Sequence, residues 1–302
     1  MSMIKLELKK NVKSRYFLIS VVLLYIVFML GDSGQVLNDG ISKTTIIGVI
    51  WSKFHGNWNR GIDSSYLIRM NDIWIGNSYL PVLMPVICGL PGVGIYLEEM
   101  WKGNKRMMLV RCSNRQYHIA KIVANAAAAV GVCILSITLF YITLLFGYDN
   151  IPKSDEMFPY IYMNFSGREV TSVREISMLL VYRKLFKGVI CFCLYAVINS
   201  SLCYLLAVWL RDKYIAFGGA IALLYVQTRI YEELTRKFLV EGDGVAQTLS
   251  SLINPCFLHT IGKYGFYQNR QCFALGVAFA LIGFHYAMAV YLAQKQFDIT
   301  ER

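Results

Sequence analysis

The chain has 302 residues, 56% of them hydrophobic and only 16% charged, with a formal net charge of +11. A soluble domain carries about a quarter charged residues, so this composition, with a mean hydropathy of +0.46, excludes an ordinary soluble globular fold. The apolar residues fall in continuous runs near the ~20 residues that a helix needs to cross a bilayer, not in the short alternating segments of a membrane barrel; the expected class is an all-α polytopic membrane protein.

In segment 1–15, Ile4, Leu8 and Val12 recur four residues apart, with Lys5, Lys9 and Lys13 one position on. This pattern predicts an amphipathic helix in the membrane interface, its apolar stripe in lipid and its lysines toward anionic headgroups; an unstructured basic leader is the alternative. The following apolar run continues to about Leu30 with no A-x-A-like site after it. It reads as a retained first span rather than a cleaved signal peptide. Six spans are expected, at about 16–31, 79–97, 119–147, 188–210, 214–230 and 272–293, making 1–302 a single transmembrane domain. No internal repeat or low-complexity tract interrupts it.

Span two holds Pro81, Pro85, Gly89, Pro91, Gly92 and Gly94. Proline removes a backbone donor and clashes one turn back, so a kinked or partly broken helix is expected. Such backbone survives at membrane depth only under cover of protein or beside a water-lined path, which places span two in the interior; a packing kink without transport meaning is the alternative. Segment 98–121 then joins spans two and three and carries six of the thirty Lys and Arg residues. Its apolar centre, Met107–Val110, is far too short to cross, so it reads as a basic amphipathic connector that touches something.

Span three begins with the small residues Ala124, Asn125, Ala126, Ala127, Ala128 and Ala129, and span five offers Gly218, Gly219, Ala220 and Ala222. Small residues let helix backbones approach closely, and Asn125 would find a partner across such a contact. Asn199, Ser200 and Ser201 in span four, with Gln227 and Arg229 ending span five, either line a passage or act as ordinary interhelix hydrogen bonders. Segment 32–78 carries Trp51, Trp58 and Trp74, suiting the outer interface. Before the last span, Val245–Phe257 contains Asn254-Pro255 and is too interrupted to span; it reads as re-entrant or interfacial helices.

With both termini placed in the cytoplasm, the inner segments hold 15 Lys/Arg and six acids, against 13 and thirteen in outer segments more than twice as long. Basic density is nearly three times higher inside, as the positive-inside rule requires. The positive charge is thus a property of one membrane face, and nucleic acid is not needed to explain it.

No G-x-x-x-x-G-K-[ST] loop is present, so this chain does not bind ATP in that way. There is also no H-E-x-x-H, C-x-x-C or G-x-S-x-G, which leaves no enzymatic constellation and no metal set. His285, in span six, is either a relay group or, more ordinarily, a histidine with a backbone or hydroxyl partner. Of eight cysteines, Cys88, Cys133, Cys191, Cys193 and Cys203 lie in spans as small apolar residues, and Cys112 is expected to be cytoplasmic and reduced. Cys256 and Cys272 both lie toward the outer face and form the candidate disulfide pair.

Six spans, cytoplasmic termini, a basic interfacial N-terminal helix and an apolar re-entrant piece before the last span together resemble the ABC type-2 permease family. In segment 98–121, Glu98 and Glu99 match that family's acids, Gly103 its glycine, and Met107–Val110 its apolar run. Cys112-Ser113 falls at the turn, with Arg115 and Lys121 as later basic positions. Asn104 and Cys112 depart from the usual Thr and Pro. The resemblance implies that 98–121 is a coupling helix docking on a separate ATP-binding subunit, through Glu98, Glu99, Gly103, Arg106, Leu109, Arg111, Arg115 and Lys121. It implies further that ATP and Mg sit on that partner, with no cofactor in this chain, and that a second permease subunit completes a homodimer or heterodimer. The expected function is export of a peptide-like or amphipathic substrate, such as a bacteriocin or lantibiotic, or immunity to one, from the bacterial cytoplasmic membrane. An ion-coupled secondary transporter is the alternative; it would want carboxylates inside the spans, and none is central in any.

Overall fold

A computed structural model of the protein describes residues 3–36, 43–54, 80–102, 113–147, 178–242, 244–253 and 271–300. Over these residues it is helical apart from one antiparallel strand pair, β1 (Asp32–Val36) and β2 (Lys43–Thr45), with an irregular register. The helices are α1 (Met3–Lys13), α2 (Arg15–Met29), α3 (Ile46–Phe54), α4 (Leu80–Trp101), α5 (Asn114–Gly147), α6 (Met178–Leu210), α7 (Lys213–Glu241), α8 (Gly244–Ile253) and α9 (Gln271–Thr300). Four described helices are long and apolar enough to cross a membrane, over Val82–Trp101, Asn114–Leu145, Phe186–Leu210 and Leu275–Lys295. The bent pair α1–α2 makes a fifth if it is counted as one span. These apolar helices are what a multi-pass membrane protein requires.

Sequence and structure differ at several boundaries. α5 starts five residues and α6 ten residues before the expected spans. The expected fifth span, 214–230, is only the first part of α7, which runs on through Glu232, Glu233, Arg236 and Lys237. α7 is not among the four apolar helices, because Gln227, Thr228 and Arg229 already lower the hydropathy of its first part. Of the expected kink or partial break, the break is absent: α4 is one unbroken helix across Pro85 and Pro91. Its burial is as expected: Met84, Ile87, Cys88, Val93, Tyr96 and Leu97 are all inside. α8 packs back on α7, while Asn254-Pro255 lies outside the described residues.

Caps explain the turns. At the 55° bend between α1 and α2, the Ser14 hydroxyl accepts from Phe17 N–H at 3.1 Å and donates to the Asn11 carbonyl at 2.7 Å. Ser113 and Gln116 form a reciprocal capping box at the start of α5, at 3.2 and 3.3 Å. Asp212 caps α7 by accepting from Tyr214 and Ile215 N–H. Gly242, at φ 70°, closes α7 in the left-handed region where glycine carries no Cβ penalty.

The chain divides into two compact units. The first comprises Met1–Leu24, Pro81–Ile134 and Phe192–Arg302. Its core is built of Tyr96, Leu97, Tyr117, Tyr204, Ala207 and Tyr286 with the small residues Ala216, Ala220 and Ala289. Here α4 supplies the closest approaches. A Cβ on Gly92 would stand 1.9 Å from Asn125 Oδ1, and one on Gly89 2.8 Å from Cys203 Cβ. The expectation for span five holds only in part: Ala220 is buried, whereas Gly218 and Ala222 are exposed. The second unit, Tyr25–Leu80 and Leu135–Cys191, packs Phe28 on Phe140 at 5.6 Å between ring centroids and joins the hydroxyls of Tyr25 and Thr143 at 2.9 Å.

Candidate functional site

The two ends of connector 98–121 meet in the first unit. Glu99 ends α4 and Lys121 sits two turns into α5, and both are buried with Glu7 of α1. Lys121 Nζ lies 2.5 Å from Glu7 Oε2 and 2.7 Å from Glu99 Oε2. Lys10 Nζ closes the other side, 3.1 Å from Glu7 Oε1 and 3.0 Å from Glu99 Oε1. Each carboxylate thus gives one oxygen to each ammonium, forming a neutral square of alternating charge. The Tyr117 hydroxyl donates to Glu99 Oε2 at 3.0 Å.

Three of these four charges are buried, which carries a large desolvation cost, repaid only when each is paired. Removing one member leaves an uncompensated charge, at a typical cost of about 3–5 kcal/mol. Partial burial works against the charged form of Lys10, but Glu99 and Glu7 outweigh it and hold its ammonium above the ordinary lysine value. One residue earlier on α4, half-exposed Glu98 accepts from the Tyr16 hydroxyl and pairs with Arg15 at 3.4 Å and Lys102 at 3.6 Å.

The square explains the orientation of α1. Its polar residues Glu7 and Asn11 point into the protein, while Ile4, Leu8 and Val12 are exposed, as are Lys5, Lys9 and Lys13. A soluble protein would turn such a helix the other way. The expected stripe is therefore present and outward, and its far side is fixed by charge.

The same unit holds a further set of polar contacts. Asn125 Nδ2 donates to the Ser200 carbonyl and the Tyr286 hydroxyl, both at 3.3 Å, across α5, α6 and α9. His118 Nδ1 and the Tyr204 hydroxyl are 3.1 Å apart, and His285 Nδ1 lies 2.9 Å from the Ser201 hydroxyl. His285 thus has the hydroxyl partner expected of an ordinary membrane histidine. Asn199 donates within its own helix to the Tyr195 carbonyl. Gln227 is half-buried on α7, and exposed Arg229 bonds to Tyr225 and Glu232 of that helix.

Of the connector residues, Gly103, Arg106, Leu109 and Arg111 lie outside the described residues, while Arg115 is exposed on the first turn of α5. Cys256 and the side chain of Cys272 also lie outside the description, whereas Cys88, Cys133, Cys191, Cys193 and Cys203 are free thiols. Among the described residues no group of His, Cys, Asp and Glu is placed to hold a metal ion. Sequence reasoning missed Glu7, Lys10 and Asn11. The available signal was Glu7 itself, the one acid in a strongly basic segment, with Lys10 and Asn11 three and four residues on, on the same helix face. Compared with known proteins, the chain matches no family model and no curated sequence.

Proposed function

We propose that the chain is the membrane-spanning permease subunit of an ATP-binding-cassette exporter for a peptide-like or amphipathic substrate, working by alternating access with a second permease subunit. In this reading it lies in the cell membrane with six spans and cytoplasmic termini, α1–α2 giving an interfacial helix and the first span, and α7 supplying the fifth. The observation that carries the reading is the anchoring of connector 98–121 at both ends. Glu99 and Lys121 are tied to each other and to α1 through the ion square. A connector held in this way moves with the helices that flank it, which is what transmission from an external motor demands. Gly103, Arg106, Leu109 and Arg111 then form the surface that meets the ATP-binding subunit, with ATP and Mg bound there.

The test is co-purification of the tagged protein in mild detergent from its native host. A P-loop ATPase in stoichiometric amount is expected, lost in the double variant Arg106→Glu, Arg111→Glu. Absence of any ATPase, together with substrate uptake into vesicles that needs only an ion gradient, would overturn the reading. That outcome would favour an ion-coupled secondary transporter, a reading to which the hydroxyl-paired His118 and His285 lend some chemistry.

A further inference from the structure

Between the first turns of α5 and the second half of α9, within the first unit, lies an open groove of about 460 Å³. This is inside the roughly 300–1,000 Å³ range of small-molecule sites. Ile119, Ile122 and Val290 line it with Arg115, Tyr291 and Gln294. Arg115 precedes Ile119 and Ile122 by about one and two turns on one helix face. The cation therefore stands at one end of the strip, and the apolar side chains run on from it. No carboxylate lines the groove, and exposed Arg115 has no ion-pair partner among the described residues.

The depth of the groove follows from α1. The outward stripe Ile4, Leu8, Val12 and the exposed lysines place α1 at the boundary between headgroups and acyl chains. Lys121 is ion-paired with Glu7 of that helix and so lies at the same level. Arg115 is six residues earlier on a continuous helix, about 9 Å toward the aqueous side at ~1.5 Å per residue. Ile119 and Ile122 flank the level of Lys121. A guanidinium at phosphate depth above an apolar strip that begins where the acyl chains begin has the chemistry of one kind of molecule.

We propose that this groove binds one anionic phospholipid from the leaflet in which α1 lies, its phosphate on Arg115 and its first acyl methylenes along Ile119, Ile122 and Val290. The proposal rests on the membrane-embedded reading of the chain and on no part of the transport reading. Arg115 then serves the lipid, and the ATP-binding subunit is left to residues 103–111.

Native mass spectrometry of the delipidated full chain, titrated with phosphatidylglycerol or phosphatidylcholine of identical acyl chains, tests it. The first phosphatidylglycerol should bind about five-fold more tightly than phosphatidylcholine, the ratio expected for one cation facing one anionic headgroup. Arg115→Gln, a change at an exposed site, should bring the two lipids to parity. Lys295→Gln removes an exposed cation of α9 outside the groove lining and should leave the preference intact. Val290→Trp, which fills the groove, should weaken both lipids; the arginine arm stands without it. Soluble glycerol phosphate at millimolar concentration should not displace the lipid. Four results would each overturn the proposal: no preference in the wild type, a preference that survives Arg115→Gln, equal loss in the two charge variants, or displacement by glycerol phosphate. So would a groove closed to lipid in a dimer of the chain.

Discussion

The protein handles charge in opposite ways at the ion square and at the far end of α7. Around Lys121, four charges from α1, α4 and α5 are brought together, three of them buried, with each carboxylate shared between two lysines. On α7, Arg229 pairs with Glu232 and Arg236 with Glu233, at 2.9 and 2.6 Å, three residues apart in one helix and exposed throughout. The distances are alike, yet the consequences are not. An exposed pair gains little because water and salt screen it. A buried pair is held in place because separating it strands a charge in a low dielectric. The square therefore fixes where α1 sits, whereas the α7 pairs only decorate a helix.

Four substitutions break or sharpen that contrast. The largest effect is expected from Lys121→Met, which leaves Glu7 and Glu99 with one shared cation. It should lower unfolding free energy in mixed micelles by about 3–5 kcal/mol and expose α1 to proteolysis. Gly92→Ala separates packing from charge at the same pair of helices, by driving a methyl into Asn125. Overpacking of this kind costs about 1–3 kcal/mol, and the loss should shrink when Asn125→Ala is added. Lys10→Met should act more weakly than Lys121→Met, because Lys10 reaches solvent, but it should leave a signature in pH. The folded ammonium lies above the ordinary lysine value of 10.5. Its contribution is therefore fully present below that value and lost as pH rises through the folded one. The melting temperature of the wild type should fall across the alkaline lysine range, and less steeply in Lys10→Met. Least of all, Arg236→Gln should leave the melting temperature unchanged in 50 mM and 500 mM salt.

How much of this was legible in the sequence depends on whether the signal was local or shared between elements. Continuous apolar runs located α2, α4, α5, α6 and α9, because crossing a bilayer imposes length and hydropathy on one segment at a time. The stripe Ile4, Leu8, Val12 was legible for the same reason. Helix ends were not, because apolarity stops at the interface while hydrogen bonding continues, as in the first turn of α5 and the last third of α7. That α4 runs unbroken across Pro85 and Pro91 was not legible, because proline dictates only a missing donor and a local clash, and how the helix accommodates them depends on neighbours from other elements. Among the site residues, Glu99 and Lys121 were marked by their place in the connector and Asn125 by its polarity in an apolar run. Glu7 and Lys10 were not singled out, since their partners on α4 and α5 lie 89 or more residues away in the chain. Period and composition carry no information at that range.

The central claim is that the ion square couples α1 to the ends of connector 98–121. A double-mutant cycle on Glu7→Gln and Lys121→Met, read as unfolding free energy in mixed micelles, tests it most directly. The account predicts that each single change is strongly destabilising and that the double variant is less so than their sum, with an interaction energy of about 1.5–3 kcal/mol. Additivity within about 0.5 kcal/mol would contradict it, because the two groups would then hold their places independently.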